Sequence, residues 1–187
     1  MHQLSITIYA LSFPATVFFL IILFVVWVLL HRWSKSLSTG KKLMFKLFLT
    51  TLFLLWFLIV LSQTVLSRTS GELVINRDFF HHLKNYLFHH GHEEELRTLW
   101  MNVLLFVPGG LLLEVLWPRC FPRWVCIPLT IILLTGLSVG IETVQYRYAL
   151  GCVEADDVLC NSLGAALGVV IHECAVLLSH KDFTSKL

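Results

Sequence analysis

The sequence predicts an all-α fold: a polytopic membrane helix bundle of about five transmembrane helices with an amphipathic helix lying in the outer interface. Three observations carry this. The 187-residue chain is 57% hydrophobic with a mean hydropathy of +0.77, above the roughly 45–50% apolar content of soluble domains. The excess lies in long uninterrupted runs rather than in a periodic pattern. Lys and Arg are distributed unevenly between the connecting segments.

A hydrocarbon core of about 30 Å needs about 20 apolar residues in a helix. Five segments meet this, at about Ile6–Leu30, Leu43–Leu66, Leu99–Trp117, Trp124–Tyr146 and Val158–Leu178. The chain is read as a single membrane domain with three parts: residues 1–66, two helices and an inside loop; residues 67–98, the outer interfacial segment; residues 99–187, three further helices and a tail. The first run has a long apolar region with no Lys or Arg ahead of it, which is not the pattern of a signal peptide. Basic residues follow it instead, at Arg32, Lys35, Lys41, Lys42 and Lys46. Cytoplasmic loops carry the excess of Lys and Arg. That loop, the 118–123 loop and the tail together hold nine of the fourteen cations, Arg119, Arg123, Lys181 and Lys186 completing the set. The expected location is the cell membrane, with the N-terminus outside and the C-terminus cytoplasmic.

The first two runs are nearly free of polar groups and read as lipid-facing helices. Between residues 67 and 98, RDFFHHLKNYLFHHGHEEEL places Phe79, Leu83, Tyr86 and Leu87 at helical spacing, with Arg77, His81, Lys84 and Asn85 mainly on other faces. This stretch is too polar to span and suits an amphipathic interfacial helix. Its histidines, His81, His82, His89, His90 and His92, form a polar, pH-sensitive face. Zinc needs three or four converging ligands, no HExxH is present, and no metal or other cofactor is expected. The five cysteines are dispersed without a CxxC, so no disulfide framework is expected. No basic patch with interleaved aromatics suggests nucleic acid.

The last three helices are different. The fourth carries Thr135, Ser138, Glu142 and Gln145 on one stripe. The fifth carries Asp157, Asn161, Gly164 and Gly168 on one stripe, and Asn102 sits one turn inside the third. The crossing order puts all three polar sets near the outer surface. A carboxylate within hydrocarbon costs about 2.5–3.5 kcal/mol on insertion scales, so Glu142 should face protein. Gly164 and Gly168 permit close backbone approach. Pro108 removes a donor, and a kink near Gly109–Gly110 would open a small cavity. The expected site is a pocket open to the outer face, lined by Asn102, Glu142, Gln145, Arg147, Asp156, Asp157 and Asn161. Simpler roles compete for each: Asp156 or Asp157 as a helix cap, Glu142 paired with Arg147, the asparagines as interhelical ties. Glu114 reads as snorkelling toward Arg119, and His172 with Glu173 as packing residues.

Two blocks then read together. NVLLFVPGGLLLEVLWPR resembles the Asn-x-x-Leu-Phe-x-Pro-x-Gly helix start of the VanZ-like membrane family. GLSVGIETVQYRYALGCVEADDVLCNSLGAALG resembles that family's second block, with its Ile-Glu-x-x-Gln, Asp-Asp and Asn-x-x-Gly-x-x-x-Gly. Together they cover about residues 99–171. Several relatives place an arginine closer to the Asp-Asp pair, whereas Arg147 here lies nine residues before Asp156. The resemblance implies a fold and a membrane location, with resistance to teicoplanin, a lipid-tailed glycopeptide, as the trait associated with the founding member. It implies no known reaction.

Two functions remain open. One is a protein of the outer leaflet that binds or shields an amphiphile, either a lipid-linked peptidoglycan precursor or a lipoglycopeptide. The other is an enzyme of the membrane surface acting on a lipid-linked envelope precursor, with Glu142 and Asp157 as the candidate catalytic acid/base pair. The outer polar set shows no nucleophilic Ser or Cys beside a His, which favours binding over catalysis. Five helices without a repeat or a midplane charge disfavour transport.

Overall fold

In the computed structural model of the chain, residues 21–71, 73–76, 78, 84, 93–118 and 120–184 are described. Five α-helices occur among them: α1 at 21–35, α2 at Thr39–Leu61, α3 at Glu93–Leu116, α4 at Arg123–Tyr148 and α5 at Ala155–Thr184. Helix α2 continues into a π-helical turn at Ser62–Leu66. The fold is all-α, as the hydropathy pattern requires. Four helices, α2 to α5, are long and apolar enough to cross a membrane among the described residues. The first predicted crossing is described only from residue 21 onward. Most of the predicted interfacial helix, including all five of its histidines, lies outside the described residues.

The chain divides into two compact units, residues 1–45 with 170–187, and residues 46–169. In the first, Trp27 Nε1 donates to Nδ1 of the buried His172 at 3.3 Å, and Lys35 Nζ donates to the Ser179 carbonyl at 3.3 Å. His172 is a packing residue there, with Trp27 satisfying one ring nitrogen.

The second unit holds the main core: Trp56 and Val60 of α2, Phe106 of α3, Leu134 and Ile141 of α4, and Ala165 of α5. Trp56 meets Phe106 edge-on, with ring centroids 5.8 Å apart, and its Nε1 donates to the Leu105 carbonyl at 2.7 Å. An indole buried among apolar helices needs that partner. Helix α5 is central, with 50% of its spanning window buried, whereas α2 has 17% buried. Outward residues such as Leu58, Ile132, Val139 and Leu177 are exposed and apolar, as a lipid-facing surface demands.

Helix α3 runs through Pro108 to Leu116. The two glycines after the proline admit neighbours rather than opening a cavity. A Cβ on Gly109 would strike the Trp56 ring, and one on Gly110 would strike the Ala165 carbonyl. On the facing helix, Gly164 lies against the Val103 carbonyl and Gly168 against the Val107 carbonyl. These two contacts advance together by four residues, so α3 and α5 run parallel with their backbones touching. Van der Waals contact between small residues is the main adhesive available where lipid supplies no hydrophobic drive.

A short strand pair has no precedent in the helical pattern of the sequence. Val74–Asn76 forms a strand, β1, that pairs in parallel with β2 at Cys152–Glu154, in the register Val74↔Cys152, Ile75↔Val153, Asn76↔Glu154. Further bonds fasten the two connecting segments: Gly71 N–H to the Ala149 carbonyl at 2.9 Å, and Ser70 Oγ to the Tyr148 carbonyl at 3.1 Å. The pairing satisfies backbone groups that leave the helices beside an apolar phase. Helix α4 ends at Ala149 in the left-handed region (φ 49°), and Gly151 at φ 100° completes the reversal into β2. A side chain at Gly151 would be strained whatever the space around it.

The glycine contacts predict opposite effects at two helical glycines. Gly168→Leu should destabilise the detergent-solubilised protein by about 1–3 kcal/mol or more through overpacking against α3. Gly136→Ala, where nothing lies within 4 Å of the added carbon, should be neutral or stabilising by up to about 1 kcal/mol. Thermal unfolding of both variants in the same micelle checks this.

Candidate polar site at one end of the bundle

Helices α2 and α4 finish, and α3 and α5 begin, at the end closed by the β1–β2 pair. The polar residues singled out by the sequence gather there. Asn102, in the third turn of α3, donates through Nδ2 to Asp157 Oδ1 in the first turn of α5. The parallel packing of α3 on α5 brings these two turns side by side. One turn further along α5, Asn161 donates through Nδ2 to Ser138 Oγ of α4 at 2.8 Å, and both residues are buried. Near the C-terminus of α4, Gln145 donates through Nε2 to the Thr64 carbonyl in the π-turn at 2.9 Å. A π-turn leaves carbonyls outside the ordinary ladder, and Gln145 supplies a donor to one of them.

Glu142 sits between these ties, 7% exposed. Its Oε2 accepts the backbone N–H of Glu154 at 3.1 Å. The charges of Asp157, Glu154 and Arg68 act on it. A carboxylate in an apolar helix is thus satisfied by the last residue of β2, and the strand pair holds that residue in place. Asp156 is 2% exposed. Its neighbour Glu154 accepts from Cys152 Sγ at 3.0 Å. Burial first, and then the bond to the Glu154 carboxylate, push the Cys152 thiol up to about 12. A thiol with so high a pKa stays protonated near neutrality and is a poor nucleophile.

The structure thus brings together Asn102 with Asp157, Asn161 with Ser138, and Glu142 with Asp157 and Glu154. Asp156 and Gln145 are buried in the same region. Arg147 is placed differently: it is exposed in the last turn of α4. The cation that reaches Glu142 electrostatically is Arg68, whose guanidinium also donates to the Leu150 and Cys152 carbonyls, each at 3.4 Å. Arg68 bridges the segment after α2 to the segment after α4. Its sequence signal is positional only: it follows the second apolar run directly, at the same end as the acids. Distance along the chain from the Asp-Asp pair directs attention to Arg147 instead.

Beside this cluster lies an open depression of about 420 Å³, lined by Ile75, Asn76, Glu142, Tyr146, Val153, Glu154, Ala155 and Val158. Its walls are mostly apolar, and Glu142 and Glu154 give it an acidic side. Strand pairing creates this wall, since Ile75 and Val153 are register partners. The arrangement can hold a polar group against carboxylates and an apolar group against Tyr146 and Val158.

Comparison with known proteins gives a consistent picture. The VanZ/LLP1 family model matches residues 16–177. Protein VanZ of Enterococcus faecium is 32% identical over 90 residues, covering 48% of this chain and 50% of that protein. The chain therefore aligns with about half the length of the curated relative it matches. No solved structure matches. With most of its length under the family model and the Asn, Glu-x-x-Gln and Asp-Asp elements meeting at one end of the helices, this chain belongs to the VanZ/LLP1 family of membrane proteins.

Proposed function

We propose that this protein binds an amphiphile at the outer leaflet, the polar cluster taking the head and the apolar wall taking the chain. Shielding such a molecule is the route by which it protects a Gram-positive cell from teicoplanin. The observation that carries this reading is the junction of Glu142 and Glu154 with the apolar-walled depression. Polar and apolar surfaces meet there at the end of the spans, where a lipid-linked peptidoglycan precursor or the acylated antibiotic would sit. The orientation belongs to the same proposal. The Lys and Arg bias puts the 118–123 loop and the C-terminus in the cytoplasm and the polar site outside.

A second reading draws on the electrostatic influence of Asp157 on Glu142. A pair of interacting carboxylates can divide acid and base roles, which suits an enzyme acting on a lipid-linked precursor. Turnover of that precursor by the purified protein, lost in Glu142→Gln, is the result that would favour this reading over binding.

In a teicoplanin-sensitive Gram-positive host, the wild-type chain should raise the teicoplanin inhibitory concentration and leave that of vancomycin unchanged. At matched membrane levels, Glu142→Gln and Asp157→Asn should each return susceptibility to the empty-vector value. Protection retained by both variants would remove the polar site from the function. A second experiment addresses orientation. In a variant keeping Cys120 as its sole cysteine, a membrane-impermeant maleimide should label this exposed residue only after permeabilisation. Labelling in intact cells would reverse the orientation.

A further inference from the structure

The depression beside the polar cluster offers a ligand hydrogen-bonding groups of both kinds. Glu142 is 7% exposed and lines it. Its Oε2 accepts the Glu154 N–H, and its Oε1 has no hydrogen-bond partner among the described residues. A carboxylate oxygen accepts and does not donate. Asn76 lines the same depression from the end of β1. Its Oδ1 accepts the Asp78 N–H at 3.2 Å, which leaves both hydrogens on Nδ2 without a partner among the described residues. Tyr146, 54% exposed, adds an aromatic face and a hydroxyl that both donates and accepts.

A ligand seated here displaces water from these groups and must replace the bonds that water made. A phosphate head would accept from Asn76 but would set negative charge against Glu142 and Glu154. An ammonium head would donate to the acids but has no acceptor to offer Asn76. Nor does Glu142 depend on a ligand for an opposing charge, since Arg68 already acts on it. A hydroxyl donates one hydrogen and accepts through two lone pairs, so neighbouring hydroxyls can serve Glu142 Oε1 and Asn76 Nδ2 together. A pyranose ring carries hydroxyls on its rim and C–H bonds on its faces. The Tyr146 ring and the side chains of Val153 and Val158 suit such a face. The volume of about 420 Å³ is that of a small-molecule site.

We infer that the head taken by this site is a neutral glycosyl group: one sugar hydroxyl donates to Glu142 Oε1, another accepts from Asn76 Nδ2, and a C–H face of the ring lies on Tyr146. This rests on the proposed amphiphile-binding reading and specifies the head. A lipid-linked peptidoglycan precursor and an acylated glycopeptide both carry sugar, and the sugar is the shared feature the site would read.

The test uses the full chain in phosphatidylcholine nanodiscs, with empty discs as the partition control. Four probes share one tail: dodecyl glucoside, dodecyl triethylene glycol ether, dodecylammonium and dodecyl phosphate. Titration calorimetry and the melting temperature report binding. The glucoside should bind at least about tenfold tighter than each of the others, the effect of one charge-assisted hydrogen bond. A preference for the ammonium or the phosphate, or equal binding of glucoside and ether, would overturn the glycosyl head while leaving amphiphile binding intact. No binding of any probe above empty discs would overturn both. Asn76→Asp keeps an oxygen for the Asp78 N–H and removes the donor, so the glucoside should lose its advantage over dodecylammonium. Tyr146→Leu keeps an apolar wall and removes the ring, so the preference for glucoside over ether should narrow severalfold. An unchanged preference in either variant, at the wild-type melting temperature, would also overturn the inference. Competition against the bound glucoside separates the two sources. Displacement by teicoplanin alone assigns the head to the antibiotic, displacement by the lipid-linked precursor alone assigns it to the precursor, and displacement by neither overturns the glycosyl head.

Discussion

The structure at this end of the molecule depends on one demand: Glu142, on a membrane-spanning helix, must be satisfied by protein. A side chain can turn away from lipid only if something polar waits for it, and here that is the main-chain N–H of Glu154. A main-chain donor can be aimed reliably only if its backbone is fixed. The strand pair fixes it, with Asn76 and Glu154 as partners at the end of the register. The left-handed Ala149 and the positive-φ Gly151 turn the chain sharply enough for β2 to begin soon after α4 ends. Carboxylate, strand and turn are thus one arrangement.

The same logic organises the helices. Close contact of α3 and α5 through Gly110, Gly164 and Gly168 places the first turn of α5 beside the Asn102 turn of α3. Asn102 then meets Asp157 without a long side chain having to bridge a gap. Trp56 covers Gly109 and donates to the Leu105 carbonyl of α3, three residues before Pro108. The residues of the family pattern therefore fall into two groups. Glycines and proline seat the helices, and Asn, Glu and Asp occupy the end that seating creates.

Much of this was legible from composition and spacing. Long apolar runs define four of the spans, because a helix in hydrocarbon has almost no alternative conformation. The polar stripe Ser138, Glu142 and Gln145 reads directly from the helical period, and all three are buried. Helix order alone put Asn102, Glu142 and Asp157 at one depth. What the sequence concealed depends on contacts between distant segments. Val74–Asn76 is a three-residue strand in a polar loop, too short for any periodicity to announce it. Arg68 resembles an ordinary loop cation, and its connection to Glu142 arises only because the segments after α2 and α4 are fastened together. The glycines after Pro108 suggested a bend with a cavity, whereas neighbouring side chain and backbone fill the space they leave.

The strand pair has a consequence for biogenesis. Its halves flank α3 and α4, so β1 leaves the ribosome long before β2. Until β2 follows, Glu142 has no Glu154 N–H to meet, and until α5 follows, Asn102 has no Asp157. A nascent chain halted after α4 holds an uncompensated acid in its last span, an incentive for that helix to slide or tilt until the acid reaches water. Pairing of β2 with β1 removes the incentive by bringing the Glu154 N–H to the acid. The strand pair thus acts as a latch on the depth of α4.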